Sequence, residues 1–146
     1  MNKVADISVF DEFGQTLLLA EVRTPDFPTT PEWAAAVRKD ITQRMKGFVP
    51  PYFLVVSRDN SYLWISPAAP EAPPDIQISS EELLSDYLRP IDSTAATIVG
   101  SALELVVGFW LQDLTYGKRT ASRSLPGHIN LPAAAENGRI EFATAA

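Results

Sequence analysis

The alternation of hydrophobic and polar positions changes period several times along the chain, and each change marks an element. Residues 3–10 alternate, with Ala5, Ile7 and Val9 on one side and Asp6, Ser8 and Phe10 on the other, as in a half-buried strand. Asp11-Glu12-Phe13-Gly14 is turn material, and 17–23 (LLLAEVR) returns as a second strand, so the two predict a hairpin. Thr29-x-x-Glu32 has capping-box spacing, with Pro31 in the first turn. The helix that follows has Trp33, Val37, Ile41 and Met45 on its apolar face; Gly47 suits its C′ position and Pro50-Pro51 ends it. Tyr52 to Val56 is wholly apolar and predicts a central strand buried on both faces. Residues 57–61 read as a turn and Tyr62 to Ile65 as a fourth strand.

The second half reads differently. PAAPEAPPD (67–75) is an extended, semi-rigid connector. Ser79-x-x-Glu82 repeats the capping spacing and opens a short helix to about Leu88, stopped by Pro90. A long helix is expected over Ser93 to Tyr116, apolar nearly all round, which calls for deep burial or a partner surface. Residues 117–134 read as loop, and Arg139 to Phe142, after Asn137-Gly138, as a late edge strand. The expectation is one α/β (α+β) domain over 1–146. It has a mixed-sheet core β-β-α-β-β over 1–66, the connector, a helical part over 76–116 packed on the sheet, and a tail over 117–146.

Composition narrows the chemistry. The chain has 146 residues and a net charge of −6, with a pI near 4.7, which argues against a broad nonspecific grip on nucleic acid. It has no cysteine, so disulfides, thiolate metal sites and cysteine nucleophiles are excluded, and the single His128 leaves no histidine cluster for zinc. No secretory leader pattern is read at the start, and Ile98 to Leu111 is too short to span a bilayer and carries Glu104. The expected location is the cytoplasm, with no membrane partner.

Two carboxylates stand out because they lie within apolar strands. If Phe10 pairs with Leu17, Asp6 falls opposite Glu21, and Arg23 shares the face of Glu21. Two acids and a cation gathered in an open notch would suit a hard divalent ion, Mg²⁺ or Mn²⁺, that meets phosphate. An acid–arginine ion pair at a sheet end is the plain alternative.

The run Ala5-Asp6-Ile7 with Val9-Phe10-Asp11, then Leu19-Ala20-Glu21-Val22-Arg23, a helix, and Tyr52 to Val56 followed by Tyr62-Leu63-Trp64, resembles the restriction-endonuclease-like PD-(D/E)xK superfamily, including uncharacterised bacterial members. The similarity covers about residues 3–66. It implies Mg²⁺-dependent phosphodiester hydrolysis, with Asp6 and Glu21 as metal carboxylates, the Val22 carbonyl as a further ligand, Arg23 where the family carries lysine, and Gln43 matching a glutamine of some branches. Two departures are visible. Arginine stays protonated and cannot serve as a base. The helix and strand that precede the aspartate strand in the family have no counterpart before residue 3, and 93–116 is a candidate for the missing layer. Both departures would suit a member that keeps the fold without cleaving, a binding or assembly module that forms a homodimer or meets a protein partner through the 93–116 helix. Ser101, Ala102 and Gly108 would permit close helix approach.

Other features have bland readings beside functional ones. Arg38, Lys39, Arg44 and Lys46 form either a phosphate-contacting patch or a solvated helix face. Trp33, Trp64 and Trp110 are expected in the core, His128 at the surface, and Arg119 and Arg123 in a solvated tail patch.

Overall fold

A computed structural model describes residues 5–46, 48–65 and 69–143. Strands β1 (Ile7–Phe10) and β2 (Thr16–Val22) form the expected hairpin, turned through Gly14 at a positive φ of 81°. Helix α1 (Pro31–Arg44) crosses over to β3 (Tyr52–Val56), which lies parallel to β2 and is buried on both faces as expected. Antiparallel β4 (Asn60–Ile65) and β5 (Ile76–Ser79) extend that side. Helices α2 (Ser80–Leu88), α3 (Gly100–Thr115), α4 (Arg119–Ser122) and α5 (Leu131–Ala135) follow, and β6 (Arg139–Phe142) closes the order β5-β4-β3-β2-β1-β6. The described residues thus form a mixed α/β protein with helices on both faces of a six-stranded sheet.

The two faces have separate cores. On one, Ala34, Val37 and Ile41 of α1 pack against Leu19, Phe53, Val55, Tyr62 and Trp64. On the other, α2 and α3 bury Leu83, Leu84, Leu88, Leu103, Val107 and Leu111 against Ile7, Val9, Leu18, Ala20 and Leu54. Residues of one strand divide between the cores at alternate positions, which is the pleat.

Several expectations need correction. Pairing runs Ile7↔Ala20, Ser8↔Leu19 and Val9↔Leu18 as expected, but Phe10 meets Thr16, not Leu17. Leu17 is the extra residue of a bulge, so Leu17 and Leu18 both join the larger core. Ala5 packs on the α1 side, away from Ile7 and Val9, because it lies before the ladder and escapes its alternation. The α1 cap is Thr30, whose hydroxyl accepts from the Trp33 amide at 3.1 Å; Pro31 is the first helical residue, which leaves Thr29 outside. Ser79 caps α2 as expected. The long helix begins at Gly100, since 93–99 form turns in which Thr94 and Thr97 bond each other. The loop expected over 117–134 contains α4 and the start of α5, held by the Trp110 indole donating to the Ala121 carbonyl at 2.9 Å. The strand β5 was not expected at all. The Gly47 C′ position, the strand start at residues 3 and 4, and Pro67-Ala68 lie outside the described residues.

The C-terminal part packs on the sheet built by the first half. α3 covers the face opposite α1, and β6 runs along the outer side of β1. Gly108 serves this packing: a Cβ there would overlap the Phe142 ring. It is therefore filled by the chain itself and is not open to a second helix.

Candidate functional site

At the carboxyl end of β2 the sequence AEVR leaves the sheet toward α1. Asp6 immediately precedes β1, and the observed register continued by one residue sets it opposite Glu21. Its carboxylate Oδ2 accepts the Val22 amide at 2.7 Å, taking the ladder position that the backbone before β1 vacates. Glu21 sits beside Val55 of β3 on the α1 face, and its Oε2 accepts from Arg23 Nε at 2.9 Å. The Arg23 amide donates to the Val56 carbonyl at 3.0 Å, prolonging the parallel pair by one bond. Asp6, Glu21, Val22 and Arg23 thus lie together at this sheet end.

The surroundings differ from an open notch. Asp6 is 3% and Glu21 7% exposed, whereas the Arg23 side chain is 38% exposed. The donors are all oxygen, the kind a hard divalent ion takes, and Asp6, Glu21 and the Val22 carbonyl would hold it. No group of three or more His, Cys, Asp or Glu side chains that could hold a metal ion is found among the described residues. In kind, then, the donor set fits; Arg23 stands on the Glu21 oxygen that an ion would contest.

Gln43 does not join the site. It is exposed in the last turn of α1, which leads toward the start of β3, while Glu21 lies at the end of the strand from which α1 departs. A helix of this length carries it roughly 18 Å along the axis. The expected cationic patch is also corrected. Arg38 is 1% exposed, its guanidinium carbon 5.3 Å from the Trp64 ring centroid and 5.9 Å from that of Phe53, with Nη1 donating to the Ala69 carbonyl at 2.9 Å. Burial pushes its pKa down from the ordinary arginine value, against the nearby charge of Asp75. Lys39 pairs with Glu71 at 2.8 Å and Arg44 with Asp40 at 2.8 Å, leaving Lys46 exposed. Trp64 and Trp110 are core residues, Trp33 is half-buried against Phe27, His128 is exposed, and Arg123 pairs with Asp86.

Sequence reasoning missed a second polar cluster at the same sheet end. Thr29 Oγ1 donates to Asp59 Oδ1 at 2.8 Å and lies 3.0 Å from Ser57 Oγ and 2.9 Å from Tyr62 Oη. The Thr29 amide donates to Asp59 Oδ2 at 2.8 Å, and Ser57 Oγ donates to Asp59 Oδ1 at 2.6 Å. Burial works to raise the Asp59 pKa, but the hydrogen bonds from Ser57 and Thr29 outweigh it and hold the carboxyl below its usual range. A cleft of about 410 Å³ opens beside this cluster, lined by Phe27, Pro28, Ser57, Arg58 and Asp59. The only sequence signal was the polar turn 57–61; its partner Thr29 lies far away in the chain.

No protein-family model, no curated protein and no solved structure matches this chain. No helix among the described residues is long and apolar enough to cross a membrane.

Proposed function

We propose that the chain is a small divalent-metal-dependent phosphodiester hydrolase of restriction-endonuclease-like architecture, acting on nucleic acid. One observation carries this reading: two carboxylates and a guanidinium meet where the antiparallel β1–β2 pair hands over, through α1, to parallel β3. The resemblance described above calls for the same order of strand, strand, helix and parallel strand around the same residues. α3 and β6 add support, because β6 pairs along β1 and α3 shares its core, where the resemblance implies a further strand and helix.

The residues have distinct tasks in this reading. The Val22 amide orients the Asp6 carboxylate, and Arg23 orients Glu21. A divalent ion bound there would supply a Lewis acid and an activated water. Arg23, as an arginine, would steady charge on the scissile phosphate and not act as a base. The test is incubation of the purified chain with single- and double-stranded DNA and RNA in Mg²⁺, Mn²⁺ or chelator. Metal-dependent cleavage that disappears in folded Asp6→Asn and Glu21→Gln supports the reading. Absence of cleavage by both the wild type and Arg23→Lys contradicts it.

The 2.9 Å Arg23–Glu21 pair and the burial of both acids favour a second reading, a non-cleaving binding or assembly module on the same scaffold. It predicts cleavage only after Arg23→Lys, or none.

A further inference from the structure

The edge strand β6 carries a pattern that does not depend on the acid site. Its inner side pairs with β1 through Ile7↔Phe142, Ser8↔Glu141, Val9↔Ile140 and Phe10↔Arg139, and no strand among the described residues pairs with its outer side. The Ala143 amide donates to the Asp6 carbonyl at 2.8 Å. In an antiparallel ladder the backbone groups alternate in direction, so Arg139 and Glu141 bond inward while the N–H and C=O of Ile140 and Phe142 point outward. An outward row of this kind is a template for another strand.

We propose that this edge is the contact through which two copies of the chain join into one continuous sheet. A second copy fits because the sequence Arg-Ile-Glu-Phe is complementary to itself in one register only. With Ile140 opposite Ile140 of the second copy, the outward groups meet in hydrogen-bonding phase. Arg139 then faces Glu141 of the second copy, twice by symmetry, at non-hydrogen-bonded positions where side chains stand closest. The neighbouring in-phase registers set Glu141 against Glu141 or Arg139 against Arg139, and like charges directly opposite are destabilising. Within one copy Arg139 already pairs with Glu141 and lies 4.3 Å over the Phe10 ring, so both charges stand on the α1 side of the strand, ready to bridge across.

The other side of the strand is apolar. Ile140 packs on the larger core and Phe142 rests on Gly108, exposed beyond it. Leu105 and Phe109 of α3, with Tyr116 just past its end, form a further exposed apolar stripe at helical spacing. The twofold axis of the pairing is perpendicular to the sheet, so it sets both α3 helices on the same face, where these stripes shelter one another. This differs from a helix-only contact, which the filled Gly108 disfavours.

Sedimentation velocity over a concentration series of the full chain tests the proposal, with circular dichroism as a control for folding. The expected result is a monomer–dimer equilibrium. Glu141→Arg or Arg139→Glu should raise its dissociation constant about thirtyfold, and the double exchange R139E/E141R should return it to within about threefold of wild type. A chain that stays monomeric at every concentration overturns the proposal, as does a dimer indifferent to the single reversals or a double exchange no tighter than either single. Hydrogen exchange on the wild type gives an independent readout. The Ile140 and Phe142 amides should gain protection with concentration while those of Arg139 and Glu141 do not change, and equal behaviour of all four contradicts the register.

Discussion

Replacing Thr29 with valine removes one hydroxyl from the Asp59 cluster and leaves the side-chain shape unchanged. That hydroxyl bonds an ionised carboxylate at 2.8 Å and lies 2.9 Å from the hydroxyl of fully buried Tyr62. A hydrogen bond to a charged group is worth about 1.5–3 kcal/mol, and a buried polar group deprived of a partner costs about 1–3 kcal/mol. Thr29→Val should therefore lose about 3 kcal/mol, a fall of roughly 10 °C in Tm for a chain of this size. Thr29→Ser, which keeps the hydroxyl, should lose much less. Acid supplies the sharper criterion. The folded Asp59 pKa lies below its unfolded value, so its contribution is fully present above about pH 4 and is lost as the pH falls through the folded pKa. The gap between wild type and Thr29→Val should narrow over that window in urea denaturation series at stepwise pH. A gap below about 1 kcal/mol at neutral pH, or one that is unchanged in acid, would refute this account of the cluster.

Two further predictions concern the frame around the site. Arg38→Ala should lose about 3 kcal/mol by chemical denaturation, through its stacking on Trp64 and Phe53 and its bond to the connector, while nucleic-acid affinity measured by anisotropy on the folded variant stays unchanged. A weakened affinity with normal stability would restore the patch reading of Arg38. Gly138→Ala would drive a Cβ into the Phe10 carbonyl oxygen and set it 2.9 Å from that of Ala135, so β6 must shift; the expected cost is about 3 kcal/mol with lost amide protection at Ala143, and a neutral substitution would contradict the packing.

Local patterns were legible where neighbouring residues decide the structure. The β1–β2 hairpin, the α1 crossover and the all-buried β3 follow from alternation, the Thr-Pro start and a five-residue apolar run. The hairpin register was readable over Ile7–Val9 but not at Phe10, because nothing in LLLAEVR says which leucine the bulge will skip. The alternation of β5 lasts only four residues behind a proline-rich connector, too short to stand out. Ala95, Ala96 and Ile98 extended the apparent helix into 93–99, where threonine side chains hold turns instead.

The candidate site was half legible for the same reason. Asp6, Glu21 and Arg23 are joined by strand geometry that a period of two reveals. Their surroundings are not local, since Glu21 lies beside Val55 of β3 and the Asp6 carbonyl accepts from the Ala143 amide beyond β6. Arg38 looks solvent-seeking until Trp64 and Phe53, from two other strands, enclose it. Thr29 and Asp59 meet only because α1 carries the chain to the far end of the sheet and β3, parallel to β2, brings it back.

Asp6 and Glu21 are proposed to act together on a divalent ion. Calorimetric titration of the chain with Mg²⁺ and Mn²⁺ tests this without requiring a substrate. The expected result is a binding heat that vanishes in folded Asp6→Asn and in folded Glu21→Gln and strengthens in Arg23→Lys, where the guanidinium no longer contests the Glu21 oxygen. A heat that survives Glu21→Gln, or none in either the wild type or Arg23→Lys, would contradict it.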